Sequence, residues 1–302
     1  MNLPDLLPVM LLCATRIFPW IRILHFFLPG LMCCLAQAAP IGAGKSQFTI
    51  PLDGKPLDVF AYRPAGSGRG ALLIVMHGLN RNADGYREYA VSLADKLGML
   101  VVAPLFDKER FPTDAYQRGN VVEKGVPQPK EEWTYNYIPK LVAEMRRREG
   151  RADMPYFLIG HSAGGQFLTR FAAFLPGDAA RIVAANPGSH LFPTRNLPFP
   201  YGFGGLPPEL GGDDAIRRYL AAPLTLLLGT ADTWEKNLDT SATAMKQGAT
   251  RIKRGRECFR LAAEVARRNG WPFHWRLVEV EGVGHGSSKM FASEKAAVAL
   301  RK

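Results

Sequence analysis

The sequence has little cysteine. Four occur in 302 residues, and Cys13, Cys33 and Cys34 all fall within the first 34. Beyond them only Cys258 remains, which excludes an intramolecular disulfide framework and a cysteine-ligated metal site in the body of the chain. Long apolar runs are also missing after residue 38, where none approaches the roughly 20 residues a membrane-spanning helix needs. No internal repeat is visible, which excludes a solenoid. The basic clusters Arg146-Arg147-Arg148 and Arg251–Arg256 have no aromatic platform between them, so no nucleic-acid module is expected. Acidic residues are in deficit: Lys and Arg number 38 against 27 Asp and Glu, a net charge of +11. Arg16 and Arg22 against Asp5 give the first 38 residues +1, leaving +10 on the remainder. That balance favours solubility and leaves anionic partners open. The length allows one large α/β domain or two small ones, and apolar content of 47% and charged content of 22% are ordinary for a soluble globular protein.

The first 38 residues differ from the rest. After Arg22 comes an apolar segment, Ile23 to Leu35, then Ala36-Gln37-Ala38. A basic flank, a short apolar run and small residues at −3 and −1 form the pattern of a secretory signal peptide, expected to be cleaved after Ala38. The expected product is a secreted or periplasmic protein of residues 39–302. Cys258, among Phe259, Ala262 and Val265 on a helix expected over 254–269, is expected to be a buried thiol.

The chain is organised around Tyr156-Phe157-Leu158-Ile159-Gly160-His161-Ser162-Ala163-Gly164-Gly165. An apolar run meets Gly-x-Ser-x-Gly, and helix-forming apolar residues come at once after it. This predicts a strand, a sharp turn and a helix with Ser162 at the apex. Gly160 and Gly164 leave room for strand and helix to approach. The plainer alternative is a serine-capped strand-to-helix turn.

Strands are expected at 47–51 and 57–62, around the turn Asp53-Gly54-Lys55, and at 71–76, 99–104, 155–159, 181–185, 223–228 and 275–280. Helices are expected at 86–97, 131–148, after Ser162, at 254–269 and at 290–300. The alternation implies an α/β fold, a mostly parallel sheet with helices on both faces and its site at the carboxyl ends of the strands. Residues 106–130 read as a polar loop. Residues 186–220, rich in Pro, Gly and aromatics, read as a lid-like insert or substrate wall, or as an excursion packed on itself.

A serine hydroxyl needs a base, and the base an orienting acid. His285, between Gly284 and Gly286 after the last strand, is the expected base. Asp232, after Leu226-Leu227-Leu228-Gly229-Thr230-Ala231, is the expected acid, with Asp239 and then Glu235 as fallbacks. His77 is expected to brace its own loop, and His161 to point away from Ser162. The backbone N–H groups of Leu79 and Ala163 are the expected oxyanion donors. Trp234, Phe192 and Tyr201 are candidate substrate walls. No cofactor or metal is required.

The order Ser162, Asp232, His285 resembles that of the α/β-hydrolase fold, over about residues 46–302. More narrowly, His77-Gly78-Leu79-Asn80-Arg81-Asn82-Ala83, Gly-His-Ser-Ala-Gly-Gly and Gly-Thr-Ala-Asp-Thr are similar to secreted polyhydroxyalkanoate depolymerase-like and feruloyl-esterase-like serine esterases. The resemblance implies cleavage of a small or polymeric ester substrate through an acyl-enzyme. A serine peptidase on the same fold is the alternative. A non-catalytic binding protein would be expected to have lost Ser, His or acid, and none is lost.

Overall fold

A computed structural model describes residues 39–67 and 70–301. The expected signal peptide lies outside the described residues. The strands are β1 (Gly44–Leu52), β2 (Lys55–Arg63), β3 (Leu72–Met76), β4 (Leu100–Pro104), β5 (Val122–Glu123), β6 (Val126–Pro127), β7 (Tyr156–His161), β8 (Arg181–Ala185), β9 (Leu224–Gly229) and β10 (Arg276–Val280). The helices are α1 (Ala83–Tyr89), α2 (Val91–Leu97), α3 (Thr113–Gln117), α4 (Tyr137–Arg148), α5 (Ala163–Phe174), α6 (Pro208–Gly211), α7 (Asp213–Leu220), α8 (Ala242–Met245), α9 (Arg251–Asn269), α10 (Ser287–Ala292) and α11 (Glu294–Leu300).

Eight strands form one sheet in the order β1-β2-β4-β3-β7-β8-β9-β10. β1 pairs antiparallel with β2, and β2 with β4. Every other neighbour is parallel, so β3, β7, β8, β9 and β10 deliver their carboxyl ends to one edge. The continuous apolar runs have a direct cause. Leu72, Ile74 and Met76 of β3 join the core under α4, α5 and α9, whereas Leu73 and Val75 join the core under α1, α2, α10 and α11. Successive side chains of a strand face opposite ways, so a strand covered on both faces must be apolar at every position. All five residues of β3 are fully buried, each large side chain contributing roughly 1.5–3 kcal/mol.

The eight expected strands are all present. The helices differ in detail. The helix expected over 86–97 is two, α1 and α2, meeting at Ala90, with Gly98 in the left-handed region closing the second. The last helix is also two. The hydroxyl of Ser293 accepts from the Ala296 N–H and starts α11 afresh. The polar stretch 106–130 folds into α3 and the β5–β6 hairpin.

The insert 186–220 contains α6 and α7, and its aromatics turn inward. Phe192 and Tyr201, expected as substrate walls, are 4% and 9% exposed and pack in the core. The Phe192 N–H donates to Tyr201 O, and the Phe203 N–H to Thr194 O. The Tyr201 hydroxyl donates to Asp239. These contacts pack the segment on itself and build no aromatic substrate wall, because aromatics in an irregular segment satisfy one another as readily as a ligand. Buried side chains tie it to the body: Gln247 donates to His190 O and Tyr201 O, Arg170 to Pro200 O, and Arg254 to Gly188 O. The second basic cluster of the sequence is therefore only partly surface, since Arg251 and Arg254 are inside. Cys258 is a free, fully buried thiol. Among the described residues no helix is long and apolar enough to cross a membrane.

Candidate active site

β7 ends at His161, and Ser162 comes next with φ 57° and ψ −113°, opening α5. Such a conformation costs a non-glycine residue about 1–3 kcal/mol. Its surroundings enforce it: the Ser162 N–H donates to Ala185 O at 2.9 Å, and Ser162 O accepts from the Gln166 N–H at 2.9 Å. The flanking glycines are sterically required. A Cβ on Gly160 would lie 2.6 Å from Gly164 O, and one on Gly164 would lie 2.3 Å from Met76 O. The turn presses the start of α5 against the end of β3.

His285 Nε2 lies 3.0 Å from Ser162 Oγ, and His285 Nδ1 lies 2.7 Å from Asp232 Oδ2. The three side chains come from loops after β7, β9 and β10. Asp232 is fully buried, and the His285 side chain is 23% exposed. The fallback acid Asp239 is instead engaged by Tyr201 and by the Ser241 N–H at 2.9 Å. Glu235 is exposed.

The loops after β9 and β10 are fastened together. The Ala231 N–H donates to Val283 O at 3.0 Å, and the Gly282 N–H to Thr230 Oγ1 at 2.9 Å. Asn186, buried at the end of β8, completes the joint. Its Oδ1 accepts from the Gly229 N–H at 2.8 Å, and its Nδ2 donates to Gly284 O at 3.1 Å. One amide thus spans the loop that bears Asp232 and the loop that bears His285. Sequence reasoning misses Asn186. Its only signal is a polar residue placed directly after an apolar strand.

His77 is fully buried. Its Nε2 accepts from the Phe106 N–H at 3.0 Å, which leaves Nδ1 to donate to Gly78 O at 3.0 Å. Burial lowers its pKa from the usual 6.5 to about 4, so it is neutral near pH 7. Tyr116 donates to His77 O at 2.8 Å, and the Arg81 guanidinium donates to Phe106 O and Phe111 O. These bonds fix the turn that carries Leu79, the bracing role expected for His77.

His161 does not simply turn away. Its ring centroid lies 4.7 Å from that of His285, and its Nδ1 is 3.2 Å from the Tyr86 hydroxyl. Burial above all, then the proximity of His285 and Arg251, holds its pKa well below the usual value. The elbow diverts His161 from the Ser162 hydroxyl and into the ring of His285, a meeting only the tertiary structure creates.

Three clefts meet here. One of about 170 Å³ is lined by Leu79, Ser162, Ala163, Gln166, Arg118 and Ser189, among others. A second of about 200 Å³ is polar, with Asn80, Asn82, Tyr86, His161 and Ser287 on its walls. The third, about 540 Å³, borders His285 but not Ser162 and is lined by Trp234, Lys236, Arg251 and Lys289, among others. Trp234 is 70% exposed, and Asn237, at a φ of 57°, borders all three clefts. Of the insert, Gly188 and Ser189 line the first of these three clefts. Leu79 and Ala163 share a cleft with Ser162, and Ala163 opens α5, where helix N–H groups lack intrahelical partners.

No model of a protein family matches the sequence, and no curated protein matches it. Solved structures do. Poly(aspartic acid) hydrolase-1 from Sphingomonas sp. KT-1 is 33% identical with a TM-score of 0.79, over 86% of this chain and 99% of that one. The poly(3-hydroxybutyrate) depolymerase LpqC from Bordetella parapertussis is 30% identical with a TM-score of 0.77, over 86% and 96%. The chain belongs to the serine-esterase-like α/β-hydrolases. An S-formylglutathione hydrolase from Staphylococcus aureus shares the α/β-hydrolase fold at 15% identity and a TM-score of 0.54, over 85% of this chain and 98% of that one. This α/β-hydrolase thus matches two hydrolases over nearly their whole lengths.

Proposed function

We propose that this hydrolase cleaves carboxylic esters through an acyl-enzyme on Ser162. The observation that supports it is the continuous line of hydrogen bonds from Ser162 Oγ through His285 to the buried Asp232. Ser162 Oγ attacks the ester carbonyl carbon while its proton passes to His285 Nε2. Asp232 accepts the hydrogen bond of His285 Nδ1–H and offsets the charge of the imidazolium. The N–H groups of Leu79 and Ala163 donate to the carbonyl oxygen as it becomes negative. As the tetrahedral intermediate collapses, the bond to the leaving alkoxide breaks and His285 returns the proton to it. Water, deprotonated by His285, then attacks the acyl-enzyme and releases the acid. His285 must protonate the leaving group, so the 540 Å³ cleft beside it is assigned to the alcohol side, with Trp234 as a wall.

Amide cleavage is the second reading. It is favoured by the 33% identity to a hydrolase of poly(aspartic acid) and by Lys236 and Lys289 in a cleft whose lining includes no carboxylate. The test is a panel of p-nitrophenyl esters of increasing acyl length beside poly(aspartic acid), on wild type and Ser162→Ala. The ester reading expects ester turnover to dominate, and Ser162→Ala to lose on the order of 10⁴-fold or more of kcat without unfolding. Undiminished ester turnover in Ser162→Ala would reject the mechanism. Faster polyamide cleavage would move the assignment to the second reading. We also infer a secreted or periplasmic location from the leader pattern of residues 1–38, which N-terminal sequencing of exported protein tests.

A further inference from the structure

Arg251 is out of place by every local rule. It is the first residue of α9, where the helix dipole presents its positive end and cations are disfavoured. It is also 1% exposed, and burying a guanidinium costs further free energy. Both penalties require compensation, and the compensating groups lie next to the reacting ones. Nη1 donates to Trp234 O at 2.6 Å, and Nη2 donates to Lys236 O at 2.6 Å. Nη1 also lies 3.6 Å from Asp232 Oδ1, the oxygen that His285 does not use. That oxygen is buried and has no hydrogen-bond partner among the described residues. One planar fork therefore faces the carboxylate of Asp232 and the backbone of the segment just after it. The same segment supplies Trp234, Lys236 and Asn237 to the clefts.

We propose that Arg251 is a positioning residue that opposes the buried charge of Asp232 and clamps the Trp234–Asn237 segment against His285. This rests on the serine-hydrolase reading of the site. The two roles separate chemically. The charge acts through Asp232 on how readily His285 accepts a proton. The fork acts on cleft shape, and an ammonium cannot reproduce it, because a compact donor on a flexible stem lacks the planar pair of N–H groups. The charged and titratable groups around the Asp232–His285 pair are Arg251 from α9, His161 from the end of β7, Lys236 and Lys289 in the cleft with Trp234, Arg118 and Asp239 in the cleft with Ser162, and Tyr86 and Tyr89 of α1 in the polar cleft.

The experiment compares wild type, Arg251→Gln and Arg251→Lys by the pH profile of kcat/KM for p-nitrophenyl acetate, with folded sites counted by a fluorophosphonate probe. Arg251→Gln removes a cation that competes with the imidazolium for Asp232. Its acid limb is expected to move up by about one pH unit, with KM raised several-fold. Arg251→Lys is expected to restore the acid limb to within a few tenths of a unit while KM stays raised. An unchanged acid limb in Arg251→Gln overturns the proposal, as does an equal shift in both variants. Loss of the folded state in Arg251→Lys also overturns it, by making Arg251 a support of the fold alone. The limb position does not depend on how much of a sample is folded. If wild type itself neither turns over ester nor reacts with the probe, the serine-hydrolase reading fails instead.

Discussion

Gly164→Ala adds one methyl group at the tightest point of the elbow. The new Cβ would meet Met76 O at 2.3 Å, Met76 C at 2.7 Å and His77 O at 2.8 Å. Ordinary contact begins near 3.4 Å, so the end of β3 and the start of α5 must separate by about 1 Å. All three opposing atoms are backbone, and no side chain can swing aside. The His77 end is fixed by the Phe106 N–H and the Tyr116 hydroxyl, the Ser162 end by Ala185 O. Overpacking of this kind costs roughly 1–3 kcal/mol, which in a domain of this size lowers Tm by about 2–4 °C per kcal/mol. The displacement also falls between Leu79 on one side and Ser162 with Ala163 on the other. A misplacement of about 1 Å between reacting groups can cost on the order of 10²-fold in rate. The assay is kcat on p-nitrophenyl acetate per probe-labelled site, with Tm by circular dichroism. Gly42→Ala is the control, because nothing lies within 4 Å of its added Cβ. A Gly164→Ala enzyme with the kcat and Tm of wild type would refute the claim that close backbone contact sets the geometry of the site.

Two further outcomes are expected. Trp234→Ala removes a side chain that is 70% exposed, so stability should stay within about 0.5 kcal/mol, while KM for esters of bulky alcohols rises several-fold; an unchanged KM across such esters would remove Trp234 from the cleft's function. His77 is neutral in the folded protein because burial lowers its pKa from 6.5 to about 4. Between those values the unfolded chain binds the extra proton, so the contribution is whole above pH 6.5 and is lost as pH falls towards 4. At pH 5 the loss is about 2 kcal/mol, from 1.5 units at about 1.4 kcal/mol each. Urea unfolding at pH 7.5 and pH 5 should therefore show a smaller pH dependence in His77→Gln than in wild type, and equal dependences would contradict the assignment.

Central strands such as β3 and β4 were legible because the sheet is covered on both faces there, so each had to be a short unbroken apolar run, whereas the half-exposed β1 and β2 were legible from the turn Asp53-Gly54-Lys55 between them. The elbow was legible for a related reason: close approach of β3 and α5 admits only glycine at 160 and 164, and that requirement is written locally. Helix interruptions were harder to see. Ser293 did offer a capping signal, but nothing in the residues around Ala90 marks the discontinuity there. Phe192 and Tyr201 misled because an aromatic in an irregular loop has the same sequence signature whether it meets a ligand or another part of its own chain.

The order of residues by itself determined the fold class, the eight strands, the elbow, and the choice of Ser162, Asp232 and His285 as candidates. Those features depend on short-range patterns: the spacing at which apolar side chains repeat, the places where glycine is needed, and the residues that come directly after a strand. Only the tertiary structure decided that Asn186 joins the loops bearing Asp232 and His285, that the ring of His161 rests against that of His285, and that Arg251 faces Asp232 from inside. These contacts join residues from 19 positions apart, Asp232 and Arg251, to 124 apart, His161 and His285. They are electrostatic and hydrogen-bonding choices made after the chain has closed on itself, and no local pattern encodes which buried polar group will find which partner.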